Sequence, residues 1–150
     1  MKSNIAKTLS GGFAGTIAMT LMMQFAAPMM IGQPMDIAAM LGNMMGDNYA
    51  MGMAVHIMLG VLVFPLIYAL ILYRFLPGTP LIKGLTGGLI LWVLAETMVM
   101  PMAGAGFFMS EIGGLKAVMA ALMGHLVYGG LLGVIAAREH SCSGTFPSMV

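Results

Sequence analysis

Four runs of predominantly apolar residues divide this 150-residue chain, at roughly 8–30, 50–73, 81–102 and 116–137. Each run has about the 20 residues that a helix needs to cross a lipid bilayer. Only 7% of the residues are charged, against about a quarter in an average soluble domain. Backbone groups inside hydrocarbon need hydrogen-bond partners within their own segment, which favours helices. The sequence therefore predicts an all-α integral membrane protein, a four-helix bundle forming one domain, 1–137, with a polar tail, 138–150.

The distribution of basic residues predicts an orientation for this bundle. Five of the six lysines and arginines precede the first run, join the second to the third, or follow the fourth. Lys and Arg favour the cytoplasmic side of a membrane, so both termini are predicted to be cytoplasmic. The predicted location is a bacterial inner membrane, with the lipid bilayer as the surroundings of the protein. A net charge of +1 gives no reason to expect nucleic acid as a partner.

Two further features concern the organisation of the bundle. The segment 35–46 has apolar positions at helical spacing but is too short to cross, which predicts a short interfacial helix between spans one and two. Residues 7–12 resemble residues 83–88, and residues 56–60 resemble residues 125–129. These half-matches are compatible with a two-plus-two parallel repeat, in which two helix pairs share one membrane orientation.

One strongly polar side chain falls in the outer part of each predicted span. His56 and His125 each lie nine residues after the last charged residue that precedes them, so they reach a similar depth. Glu96 and Gln24 lie near the outer ends of spans three and one. An ionisable residue inside a membrane bundle costs free energy unless it is paired, hydrated or bound to a ligand. These four residues therefore form the predicted site.

Several interpretations of that site stay open. The residues can pair without a ligand, through a hydrogen bond between Glu96 and a histidine. They can bind haem b axially through His56 and His125, or a transition metal such as iron, zinc or copper through both histidines and Glu96. They can also relay protons. In the haem case, small residues at i−4 and i+4 of each histidine would clear space for the macrocycle, namely Gly52, Gly60, Ala121 and Gly129.

Methionine is unusually frequent, with 20 residues that concentrate in the predicted outer half. Soft thioethers select Cu(I), which makes copper handling an alternative function. Methionine also packs adaptably, so a methionine face can equally cover a partner subunit. Three Gly-x-x-x-Gly pairs, beginning at Gly11, Gly84 and Gly129, would let helices approach closely, within one chain or in a homo-oligomer.

The leading functional prediction is a small redox-associated membrane protein with haem b or a metal between the two histidines. The rival is a non-catalytic accessory or scaffold subunit of a larger membrane complex. The sequence contains no G-x-S-x-G, P-loop, H-E-x-x-H or C-x-x-C motif, so it offers no soluble-enzyme signature.

Four stretches, 56–60, 76–78, 100–107 and 125–129 followed by Leu132 and Gly133, carry a resemblance to a known family. They resemble a family of small four-span bacterial membrane proteins of unknown function, over most of residues 5–137. The resemblance implies the four-helix fold and two histidines within the membrane, but no activity. Glu96 departs from the pattern, since an apolar residue is expected there.

Overall fold

The computed structural model describes residues 4–137, and every regular element in that part of the chain is helical. Four helices are long and apolar enough to cross a membrane, which confirms the predicted fold class. They are α1 (Ile5–Ile31), α3 (Tyr49–Phe75), α4 (Pro80–Met102) and α5 (Gly114–Ala136). The predicted short helix is α2 (Ile37–Asn43), between the first two spans. A single 3₁₀ turn, Phe107–Met109, interrupts the connection from α4 to α5. The predicted tail 138–150 lies outside the described residues.

Polar side chains set the beginnings of the first four helices. The caps of α1 to α4 each accept a hydrogen bond from a backbone N–H three residues later, and they are Asn4, Asp36, Asn48 and Thr79. Such caps satisfy one of the N–H groups that the first helical turn leaves free. Gly32, in the left-handed conformation, ends α1. Polar residues thus set the helix boundaries that hydropathy alone places only approximately.

Glycines let three of the spans pack closely in an antiparallel arrangement. A Cβ atom on Gly84 would meet the carbonyl oxygen of Gly129, and one on Gly88 would meet that of His125, so α4 lies directly against α5. On the other side of α5, a Cβ atom on Gly15 would lie 2.8 Å from the ring of Tyr128, so α1 also packs closely there. All three Gly-x-x-x-Gly pairs therefore serve contacts inside this chain.

The spans leave a cleft between α3 and α4. These helices meet near the ends that carry the chain termini, where the Tyr68 ring lies beside Gly87. Towards the opposite ends, here called the distal half, α1 and α5 form the back of the cleft. Helix α2 covers its distal end, and a Cβ atom on Gly52 of α3 would meet the carbonyl oxygen of Ala38. In the predicted two-plus-two repeat, α1 corresponds to α4 and α3 corresponds to α5. The α1–α5 pair would then correspond to the α4–α3 pair. Because the first pair is in close contact and the second pair encloses an open cleft, the packing is asymmetric.

A π-helical turn precedes a proline in three of the spans. These turns are Met22–Ala26 before Pro28, Leu59–Val63 before Pro65, and Ala95–Val99 before Pro101. Proline has no N–H, and its ring clashes with the carbonyl four residues earlier in an α-helix. In each case the residue just before the proline instead donates to the carbonyl five residues back. The wider turn thus accommodates the proline without breaking the span.

Two of these prolines leave a carbonyl that another part of the chain satisfies. In a π-helical turn, each backbone N–H donates to the carbonyl five residues earlier. An N–H at position 65 would therefore donate to the carbonyl of Gly60, and an N–H at position 28 would donate to the carbonyl of Met23. Proline has no N–H, so both carbonyls lack this donor. The Tyr128 hydroxyl donates to the Gly60 oxygen at 2.7 Å, and the Met35 N–H donates to the Met23 oxygen at 3.1 Å. Each bond connects a proline-containing span to a distant segment. The prolines therefore help to determine which elements pack together.

Candidate functional site

The distal cleft contains a cavity of about 290 Å³ that both predicted histidines line. His56 reaches it from α3 and His125 from α5, while α2 and α4 contribute apolar side chains. Thr16 and Tyr128 are its other polar wall residues. Their hydroxyl groups donate to the backbone carbonyls of Gly12 and Gly60, each at 2.7 Å. Since these hydroxyl groups have used their hydrogens, the imidazoles are the strongest remaining ligand donors in an otherwise apolar cavity.

The hydrogen bonding of His125 leaves one ring nitrogen available. Its Nδ1 lies 2.8 Å from the carbonyl oxygen of Ala121, one helical turn earlier. A carbonyl can only accept, so Nδ1 carries the hydrogen, and in the neutral imidazole Nε2 keeps its lone pair. A backbone carbonyl holding one nitrogen while the other faces a ligand is the usual arrangement of a metal-binding histidine.

His56 has a side-chain partner on α1. Its Nε2 lies 3.0 Å from the Thr20 hydroxyl oxygen, and that hydroxyl lies 2.8 Å from the carbonyl oxygen of Thr16. With the Thr20 hydrogen donated to that carbonyl, both contacts are satisfied by the His56 tautomer in which Nε2 donates to Thr20 and Nδ1 keeps the lone pair. Ligation through Nε2 would require this bond to open.

Glu96 does not meet either histidine. Its side chain is 0% exposed, and both carboxyl oxygens are without a hydrogen-bond partner among residues 4–137. It is not among the residues that line the cavity. Within the same range, no three His, Cys, Asp or Glu residues come close enough to hold a metal ion. Glu96 is thus a separate buried group, and His56 and His125 form the shared site.

Gln24 lies in a second pocket, of about 260 Å³, in the distal part of the chain between α1, α2 and α3. Asp36 at the start of α2 and Tyr49 at the start of α3 also line it. His56 borders this pocket as well as the cleft. Apart from Glu96, the predicted polar residues therefore divide between two adjoining spaces, with His56 common to both.

The small residues that flank the histidines act mainly in helix packing. A Cβ atom on Gly60 would meet the Thr16 hydroxyl on α1, and one on Gly129 would meet the carbonyl of Gly84 on α4. Gly52 lies against α2, and Ala121 is buried at 3% exposure. Gly60 alone among them lines the cleft, so these positions open little space for a macrocycle.

Thr20 and Tyr128 are not among the residues predicted from the sequence. The sequence feature that points to a residue such as Tyr128 is Pro65. A proline within a span leaves a backbone carbonyl without its N–H donor, so a side-chain donor on another span is expected to satisfy that carbonyl. For Thr20 the sequence feature is its spacing from Gln24. Thr20 lies four residues before Gln24 and therefore on the same helix face as that polar residue. Neither signal names the partner, which depends on how the helices pack.

Comparison with known proteins places the chain in a family without assigning a function. No curated protein and no solved structure matches it. A family model described as a family of unknown function, DUF6789, matches residues 2–143. The match covers all four spans and both histidines of the cleft. The protein is therefore a member of the DUF6789 family.

Proposed function

We propose that this protein is a small redox-associated membrane protein that binds a transition-metal ion or haem b between His56 and His125. The observation that carries the proposal is that imidazoles from two different spans line one apolar cavity. Placing two imidazoles in apolar surroundings costs free energy that ligand binding would offset. Haem b, or a redox-active ion such as iron or copper, would supply one-electron chemistry, while the chain's own residues bind it and limit its contact with water.

The residues fit a metal ion with fewer changes than they fit haem. His125 already presents Nε2, and His56 can present Nδ1 without losing its bond to Thr20. Two histidines are fewer donors than most ions require, so backbone carbonyls, water or Met19 of the cavity wall would complete the set. Haem would have to enter from the α3–α4 side, because Gly52 and Gly129 already contact other helices.

The test is an absorption spectrum, oxidised and then dithionite-reduced, together with elemental analysis of the full chain purified in detergent. His56→Ala and His125→Ala are the test variants. His140→Ala is the matched control, since it removes the third histidine of the sequence, which lies outside the described residues. We expect a near-stoichiometric metal content, or a Soret band with sharp α and β bands on reduction, that only the control variant retains.

A colourless, metal-free protein obtained from cells with adequate haem and metal supply would contradict the proposal. Loss of the ligand in all three variants would show that binding does not depend on the cleft. In either case the accessory role would be favoured. Exposed apolar side chains on the distal surface would then offer the contact face, among them Met29, Met98 and Met102.

We also propose that the protein lies in a bacterial inner membrane with both termini in the cytoplasm, on the strength of its basic residues. Cys142, the single cysteine, provides a test because it belongs to the C-terminal tail. A membrane-impermeant maleimide should label it only after cells are permeabilised. A Cys142→Ser variant carrying Ser110→Cys, in the exposed α4–α5 connection, should be labelled in intact cells. The reverse labelling pattern would show that both termini lie outside the cytoplasm.

A further inference from the structure

The second pocket has a lining that suits a different ligand from that of the cleft. Four methionines, from α1, the α1–α2 connection and α3, line it together with His56: they are Met19, Met23, Met35 and Met53. We propose that this pocket binds a soft monovalent metal ion, Cu(I) or its analogue Ag(I), through thioether sulfurs and His56. This site is distinct from the one proposed in the cleft but shares Met19 and His56 with it, so the two sites are alternatives that are not filled at the same time.

Two of the methionines are held in place by packing against α5. Met19 and Met23 stand four residues apart, on one face of α1. Opposite them, α5 carries Gly124, where a Cβ atom would lie 2.7 Å from Cε of Met23 and 3.3 Å from Cγ of Met19. The glycine therefore leaves room for both side chains. Both side chains therefore pack against α5 and also line the pocket.

The third methionine comes from outside the spans and is anchored to the first. The Met35 N–H donates to the carbonyl oxygen of Met23, which has no donor from Pro28. Met35 is only 5% exposed although it lies in a connecting segment. A connection that buries its side chain next to a second methionine gives the pocket a defined wall. Met53, on α3, is the fourth methionine of the lining, so the methionines reach the pocket from three separate parts of the chain.

The charge of the lining favours a soft monovalent ion over a hard divalent one. Asp36 is the only carboxylate among the residues that line the pocket, and one of its oxygens caps α2 by accepting from the Ala39 N–H at 2.9 Å. Ca²⁺ and Mg²⁺ bind through several oxygen ligands, mainly carboxylates and carbonyls. Thioethers and imidazole instead select Cu(I), whose single charge needs little compensation. His56 contributes Nδ1, because its Nε2 donates to Thr20.

The test is a competition titration of the purified full chain with Cu(I), under anaerobic reducing conditions, against a chromophoric Cu(I) chelator. The test variant is Met35→Leu combined with Met53→Leu, since Leu replaces Met with little change in volume. The matched control combines Met119→Leu with Met123→Leu, two exposed positions outside the pocket. We expect one Cu(I) per chain, at least tenfold weaker binding in the test variant, and less than twofold change in the control.

His125→Ala separates this proposal from the one for the cleft. We expect it to abolish ligand binding in the cleft while leaving Cu(I) affinity within twofold of the unsubstituted chain. X-ray absorption at the copper edge should show sulfur neighbours that decrease in the Met35→Leu/Met53→Leu variant. Equal Cu(I) affinity in that variant and the unsubstituted chain would overturn the proposal. So would a copper signal that disappears with His125 but not with the methionines.

Discussion

Tyr128 on α5 donates a hydrogen bond of 2.7 Å to the carbonyl oxygen of Gly60 on α3, 68 residues away in the chain. The bond lies at the end of the histidine cleft nearer the chain termini, and it connects two spans that line the cleft. Tyr128 is 3% exposed, so water cannot readily replace its hydroxyl. Removing a buried partner leaves the other group unsatisfied, which costs more than an average hydrogen bond contributes.

We expect Tyr128→Phe to lower the free energy of unfolding in detergent by about 1–3 kcal/mol. Tyr68→Phe is the matched control, because the Tyr68 hydroxyl is equally buried but has no partner within residues 4–137. The control should lose nothing, since Phe removes an unsatisfied group. Denaturant unfolding followed by circular dichroism measures both. Equal losses would mean that the Gly60 bond contributes no specific stability.

The dependence of that bond on Pro65 can be measured separately. Pro65→Ala restores an N–H that can serve the Gly60 carbonyl, so Tyr128→Phe should cost less in the Pro65→Ala background. The expected coupling is at least about 0.5 kcal/mol, in the range seen for residues that share a partner. Pro28→Ala, in α1, provides the control cycle and should combine additively with Tyr128→Phe. Additivity in both cycles would argue against the role given to Pro65.

Close packing of α4 on α5 predicts different effects for two glycines. Gly84→Ala would place a Cβ atom against the carbonyl oxygen of Gly129 and should destabilise the protein by about 1–3 kcal/mol. A Cβ atom on Gly130 would lie 3.5 Å from a side-chain carbon of Leu85 and 3.7 Å from one of Leu81, which are ordinary contact distances. Gly130→Ala should therefore leave the stability unchanged or raise it, because Ala favours a helix over Gly. Thermal unfolding of the two variants in one detergent compares them. A destabilised Gly130→Ala variant together with an unaffected Gly84→Ala variant would contradict this packing.

Glu96→Leu tests whether the buried carboxyl group belongs to the site. Its oxygens have no partner among the described residues, so an apolar replacement should keep or raise the stability. Because Glu96 does not line the cleft, the variant should also retain the bound metal or haem. Elemental analysis and thermal unfolding of the same sample give both results. Loss of the bound metal or haem from a folded Glu96→Leu variant would show that Glu96 contributes to the site.

Thr20→Val tests how His56 would bind an ion in the cleft. The variant frees His56 Nε2 from a bond whose net contribution is about 0.5–1.5 kcal/mol. If Nε2 is the ligating atom, metal affinity should rise about 2- to 12-fold; if Nδ1 ligates, affinity should not rise. Thr97→Val is the control, since the Thr97 hydroxyl donates to the Val93 carbonyl just as Thr20 donates to that of Thr16. A gain in the control would show that the effect does not come from His56.

The amino-acid sequence alone is sufficient to predict the number and approximate bounds of the spans, because crossing hydrocarbon requires long apolar helices whatever their partners are. It also predicts a similar depth for His56 and His125, since rise per residue and charged ends set depth without reference to packing. The short helix α2 followed equally from local spacing. These properties are one-dimensional, and composition along the chain is sufficient to predict them.

Which side chains face one another depends on how the helices pack in three dimensions. In a membrane, residues that face lipid and residues that face the protein interior are both apolar, so periodicity does not reveal how each helix is rotated. Hence Glu96 does not line the cleft with the two histidines, while Thr20 reaches His56. The convergence of Met35 on Met23 likewise depends on a carbonyl freed by a proline and on how the connecting segment folds back.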